Sequence, residues 1–240
     1  MAGETIKTEA VCLTIRPWSK TSHIVAWLTP HGKISTIVKG ALRPKSQFLG
    51  QYDLNYTCEI VYYARARGDL HALRECTPVE RRDFLRENFR AMALADYCRS
   101  LASELAAEGA ECLEWYRWLN RALDCRDEPN VGLLVTRELE ILRLTGLSPD
   151  FSGYNKLAEW SPFSIETGRF DNSGRRLIRV SNAVAEYLNC GGGKTKNLLL
   201  PLDAARVIGV FYRFHLDCAF DVRRTVLGMI SNTKGKNNEH

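Results

Sequence analysis

Between Glu9 and Asp53 there is no acidic residue, yet Arg16, Lys20, Lys33, Lys39, Arg43 and Lys45 all fall in that interval. No CxxC pair occurs, so a four-cysteine zinc site, which needs closely spaced thiolate pairs, is not expected. No apolar run approaches the roughly 20 residues that span a bilayer. The opening MAGETIKTEA has neither the basic start nor the apolar stretch of a signal peptide. The expectation is a soluble, cytoplasmic chain with no membrane partner. Neither GxSxG nor HExxH occurs, and His23, His31, His71, His215 and His240 show no metal-ligand spacing. No catalytic residue, metal or cofactor is therefore assigned. Cys12, Cys58, Cys76, Cys98, Cys112, Cys125, Cys190 and Cys218 are widely spaced, and most sit inside apolar patterns, as small hydrophobes in a reducing compartment would.

What is present is enough apolar material for a core: 45% of the 240 residues are hydrophobic and 25% charged. The net charge of +5 is unevenly spread. Residues 1–79 carry ten Lys/Arg against six Asp/Glu, residues 80–150 ten against fourteen, and residues 151–240 thirteen against eight. Two basic ends around an acidic middle suit an anionic partner, and ordinary surface variation would produce the same imbalance.

Residues 8–77 read as short strands. Val11, Leu13 and Ile15 alternate with Cys12, Thr14 and Arg16, and Leu54, Tyr56, Cys58, Ile60 and Tyr62 alternate in the same way. Strand-like runs at His23–Thr29, Lys33–Val38 and Leu70–Cys76 are divided by Pro30-His-Gly32 and Arg67-Gly-Asp69. Five short strands in so few residues suit an OB-fold barrel. Thr77-Pro78-Val79-Glu80 has the form of a capping box and predicts a helix start. Helical spacing follows at Leu85, Phe89, Met92, Tyr97, Leu101 and Leu105, then over Cys112–Leu123, then over Val131–Thr145 to a stop at Gly146. Residues 147–180 are irregular, with a hairpin turn expected at Asn172-Ser-Gly174. Ser181 is placed to cap a short helix ending at Asn189. A long helix from about Leu202 carries Val207, Phe211, Phe214 and Cys218, and the tail Asn232–His240 is polar. The class is α+β: an OB domain over 1–79, then a helical domain over 80–240 that includes the irregular 147–180 segment.

Cys190-Gly-Gly-Gly-Lys-Thr195 ends like a phosphate-binding P-loop, but Leu188 stands where the first glycine belongs and a helix precedes it. A basic connector is the better reading. A nucleotide-dependent enzyme using Gly191–Thr195 remains a rival, as does a non-enzymatic adaptor that binds proteins and not DNA. The basic loop Ile37–Leu49 is a stronger lead. Barrel loops of this kind line electropositive grooves for single strands, with aromatic rings as stacking platforms. Trp18, Trp27, Phe48 and Tyr52 lie nearby, with Trp27 and Phe48 better suited to the core.

The order Arg16-Pro-Trp-Ser-Lys-Thr-Ser22, Leu28-Thr29, Gly32-Lys33 and Val38-Lys-Gly-Ala41 through Ser46 and Gly50 resembles the RecO recombination mediators. Leu73-Arg74-Glu75 and Arg137-Glu-Leu-Glu-Ile-Leu142 leading into Gly146-Leu147 extend the likeness. The resemblance implies an amino-terminal OB-fold, a helical domain, and no nucleotide hydrolysis. It further implies binding of single- and double-stranded DNA, annealing of complementary strands, and work with RecR to load RecA. The DNA would be coated with single-strand-binding protein, whose acidic carboxyl tail docks on the helical part.

Carried onto this chain, the DNA-contacting positions are Arg16, Lys20, Lys33, Lys39, Arg43 and Lys45. The tail would dock around Arg137, Leu139 and Arg143, although Val135 and Thr136 stand where a basic residue is expected. A second basic surface is expected from Lys194, Lys196, Arg223 and Arg224, with a solvated helix face as the alternative. Many members carry a four-cysteine zinc module after the Gly146-Leu-Ser-Pro149 equivalent. Here Ser148–Ile178 has no Cys or His, so zinc should be absent and packing must hold that segment.

Overall fold

The computed structural model describes residues 4–65, 70–107, 112–172, 174–197, 199–216 and 220–231. The turn expected at Arg67-Gly-Asp69, Ser173, Cys218 and the polar tail lie outside them. The chain divides into two compact units, Met1–Arg126 and Asp127–His240.

The first unit is built on five strands: β1 (Thr5–Ser19), β2 (Ser22–Thr29), β3 (Gly32–Val38), β4 (Thr57–Tyr63) and β5 (Leu70–Glu80). They close in the order β1-β2-β3-β5-β4, with β4 returning to β1 and only the β3–β5 pairing parallel. This is the OB-fold arrangement. β1 is long enough to serve two neighbours. Its first half pairs with β4 from Thr5 to Val11, and its second half with β2 from Val11 to Ser19. A bulge between Cys12 and Thr14 turns the strand at the changeover.

Ala10, Cys12, Val25, Trp27, Val38, Cys58, Ile60 and Cys76 fill the barrel. Burial pushes the Cys12 thiol up, and a hydrogen bond with Cys58 followed by burial does the same for Cys76. These cysteines behave as core hydrophobes. The simple alternation expected for Val11–Ile15 does not survive, because Ala10, Val11, Cys12 and Leu13 are all fully buried. Helices cover the outside of β1 there, so both faces are apolar.

The Thr77–Glu80 expectation is corrected. Those residues continue β5, with Thr77 opposite Glu59, Pro78 opposite Cys58 and Glu80 opposite Thr57. Pro78 is tolerated beside a bulge at Thr57/Cys58. A short 3-10 turn at Asp83–Glu87 then leads to α1 (Phe89–Leu105), capped by Asn88, whose side chain accepts from the amides of Arg90 and Ala91. α2 spans Leu113–Leu123.

The second unit contains α3 (Val131–Leu144), β6 (Trp160–Ser164), β7 (Arg169–Phe170), β8 (Leu177–Ser181), α4 (Asn182–Asn189), α5 (Leu200–His215) and α6 (Phe220–Ser231). α3 stops where glycine permits, at Gly146 with φ +73°. The Ser181 hydroxyl caps α4 by accepting from the Val184 amide. The expected hairpin at Asn172–Gly174 is not one. β6 is the central strand, in the order β7-β6-β8, so the chain crosses from one edge to the other there. The tight turn lies earlier, between β6 and β7, where Gly168 takes φ +67° and its amide donates to the Ser164 carbonyl.

Candidate nucleic-acid interface

The β3–β4 connection folds as a chain of tight turns: Arg43 N–H to Gly40 O at 3.1 Å, Ser46 to Arg43 at 2.9 Å and Leu49 to Ser46 at 3.3 Å. Two of its apolar residues, Ala41 and Phe48, are buried in the barrel core and anchor it. The Leu42 amide donates to the Thr21 carbonyl at 3.1 Å and the Gly40 amide to the Ser22 hydroxyl at 3.2 Å. These bonds fasten the loop to the β1–β2 turn and bring Lys20 beside Lys39 and Arg43. Gly40 sits at φ +67°, and a Cβ there would lie 3.2 Å from Arg43 Cδ, because the arginine stem folds back over it.

Arg16 shares a cross-strand row with Ile24 and Ile37 on the same barrel segment. Arg16, Lys20, Lys39, Arg43 and Lys45 are all exposed. Among the described residues none of the five has an ion-pair partner. The first acid after the loop, Asp53, is held by Arg86 at 2.7 Å. Of the nearby aromatics, Trp18 is 60% exposed at the end of β1. Trp27 is fully buried and donates its indole N–H to the Thr36 hydroxyl at 2.8 Å. Phe48 is core, and the Tyr52 hydroxyl is tied to His23 at 2.8 Å. Only Trp18 among these four offers an open ring.

Lys33 stands apart. Its ammonium donates to the Ser103 carbonyl near the end of α1, at 2.9 Å, where the helix dipole favours a cation. The three residues considered for tail docking do not form one surface. On α3, Leu139 is buried, Arg137 is mostly covered and paired with Glu140 at 3.0 Å, and only Arg143 is exposed. Arg137 and Leu139, two residues apart, point to nearly opposite sides of the helix.

The second basic surface is corrected at Arg223. That side chain is buried, its guanidinium bonded twice to Glu138 at 2.6 and 2.9 Å and once to the Ala205 carbonyl at 2.7 Å. Gly209 makes the room, since a Cβ there would lie 2.5 Å from Arg223 Nη1. Arg224 and Lys196 are exposed, and Lys194 pairs with Asp127 at 3.0 Å.

The glycine run before Lys194 closes α4. The Gly191 and Gly192 amides donate to Leu188 and Tyr187 carbonyls, both at 3.0 Å, and Tyr187 and Thr136 hydroxyls donate to Gly193 and Gly191 carbonyls. Two of the amides a phosphate cradle would use are thus already spent on the helix end. Arg82 escaped the sequence reading altogether. It is buried at φ +54°, with bonds to the Asn55 carbonyl, Thr57, Asn120 and Asp124. Nothing local distinguishes it from Arg81.

Residues 1–82 match the family described as Recombination protein O N terminal. The chain is 30% identical over 149 residues to the DNA repair protein RecO of Alkaliphilus metalliredigens, a match covering 60% of this chain and 59% of that protein. It is 26% identical over 145 residues to the protein of the same name from Moorella thermoacetica, covering 60% and 54%. A third, from Roseiflexus, is 27% identical over 111 residues, covering 46% and 38%. Each match spans less than two thirds of the relative's length. The amino-terminal barrel, residues 1–82, is thus what matches the Recombination protein O N terminal family, and the similarity to RecO proteins extends over about 60% of the chain.

Proposed function

We propose that the chain is a recombination mediator in DNA repair. In this reading it binds single- and double-stranded DNA, anneals complementary strands and, with RecR, helps load RecA onto DNA coated with single-strand-binding protein. The observation that carries it is the set of five exposed cations, Arg16, Lys20, Lys39, Arg43 and Lys45, with no ion-pair partner among the described residues. Lys33 drops out of the contact set because its ammonium already has a partner.

Annealing requires two mutually repelling strands to be held close. Cations that neutralise phosphates weaken that repulsion, and contact through the backbone leaves base edges free to pair. The Trp18 ring adds a stacking surface that accepts any base. No bond is made or broken by the protein in this scheme.

The adaptor reading draws on Leu42 and Leu49, two large apolar residues exposed on the same loop. Passage over a single-stranded DNA column at low salt separates the two. The mediator reading expects the native chain to be retained and eluted by salt, with the Lys39→Ala/Arg43→Ala/Lys45→Ala variant eluting earlier. Native protein that flows straight through would leave the adaptor.

A further inference from the structure

The segment of the second unit that carries no Cys or His, Ser148–Ile178, is held by rings. Phe151 stacks on Phe163 with centroids 4.9 Å apart, Phe170 meets Phe163 edge-on at 5.3 Å, and Phe211 of α5 approaches at 6.5 Å. These rings occupy one face of the β7-β6-β8 sheet. The register assigns other residues to the opposite face. Ser164 is paired with Arg169 and Leu177, Pro162 with Arg179, and Trp160 with Ser181. Directly opposed residues share a face, and successive residues switch faces. Trp160, Pro162, Arg179, Leu177 and Arg169 therefore lie on the face turned away from Phe163.

That face is positive and is open along Trp160 and Arg179, while the crossing at Gly174 covers Ser164, which is fully buried. Trp160 is 42% exposed and Leu177 39%, and both arginines are exposed. The Arg179 guanidinium lies over the Trp160 ring, 4.2 Å from its centroid. The crossing from β7 to β8 adds the exposed Arg175, whereas Arg176 turns to the other side, its guanidinium 4.9 Å from the centroid of the Phe214 ring of α5. Among the described residues none of these four arginines has an ion-pair partner. Asp150 feels Arg169 only weakly, its carboxyl being held below the usual range first by hydrogen bonds from Ser152. Strand spacing puts the Arg169 and Arg179 Cα atoms about 12 Å apart.

We propose that this face is a second binding site for single-stranded nucleic acid, with phosphates on Arg169, Arg175 and Arg179 and a base stacked against Trp160. It rests on the reading that the chain handles single strands. The guanidinium fork matches phosphate oxygens in a way a lysine does not, and an indole accepts any base as a stacking partner. The positive charge complements a polyanion, and an apolar partner would have no use for it. One chain then has two places for a strand, the barrel loop and this sheet.

The test is a stoichiometric titration of the full chain with a fluorescent oligonucleotide of about 10 nucleotides, within the range one such site covers. The native chain is expected to take two strands. The Arg169→Ala/Arg175→Ala/Arg179→Ala variant should take one, and so should the Lys39→Ala/Arg43→Ala/Lys45→Ala variant. Trp160→Ala should weaken the second event about tenfold. An Arg169→Lys/Arg175→Lys/Arg179→Lys variant, which keeps the charge and serves as the folding control, should still take two at low salt. A native stoichiometry of one, or a sheet alanine variant that still takes two, overturns the proposal. A sheet variant that no longer binds an acidic peptide while its DNA stoichiometry stays native also overturns it. A loop variant that keeps two strands while the sheet variant takes only one refutes the barrel reading and leaves the sheet site standing.

Discussion

The β3–β4 loop of the first unit and the α3–α5–α6 seam of the second use positive charge in opposite ways. In the loop, Lys39, Arg43 and Lys45 are exposed, and the whole interval from Glu9 to Asp53 offers them no acid. In the seam, Arg223 is 5% exposed and its fork is filled by Glu138, itself fully buried. A guanidinium taken out of water must be paired and fully hydrogen-bonded, so the seam spends its cation on the fold. A hydrated cation keeps its charge available and can exchange bound water and counterions for a phosphate. What separates a structural arginine from a binding one here is its surroundings, and those come from distant parts of the chain.

Removing a partner from the seam should have the largest effect. Arg223→Ala strands the Glu138 carboxylate and should cost about 3–5 kcal/mol in urea unfolding, without changing DNA affinity of the folded fraction. An unfolding midpoint equal to that of the native chain would erase the contrast between the two regions. Arg82→Ala removes four hydrogen bonds but leaves Asp124 half-exposed, so a smaller loss of about 2 kcal/mol is expected. Lys33→Met sharpens the comparison inside the barrel. It should lower stability by about 0.5 kcal/mol, because the end of α1 is left without its cation, and leave the salt dependence of DNA binding unchanged. Arg224→Ala, beside Arg223 in sequence but exposed, should change stability by less than about 0.5 kcal/mol.

Much of the fold was legible where the signal is local. Strand-like runs and the turns between them marked the five strands, Gly146 marked the end of α3, and Ser181 marked the start of α4. The failures share one cause, a decision made by residues far away. Thr77-Pro-Val-Glu80 reads as a helix cap, but pairing with Thr57–Glu59 keeps it in the sheet. Arg223 and Arg224 look alike until α3 supplies Glu138 from 85 residues away. Lys33 belonged with the other barrel cations until Ser103 claimed its ammonium. The hairpin near Asn172 failed because the sequence does not say which of three short strands is central. The loop cluster was readable because its main property, the missing acids, is a property of one continuous stretch.

The dependence of single-strand affinity on salt concentration probes the loop most directly. Plotted as log affinity against log salt, the native slope should fall in magnitude by about 2 in the Lys39→Ala/Arg43→Ala/Lys45→Ala variant, roughly 0.7 for each phosphate no longer neutralised. The unfolding midpoint should stay where it was. Two parallel lines of equal slope would mean that these three cations touch no phosphate, and the account of the loop would be wrong.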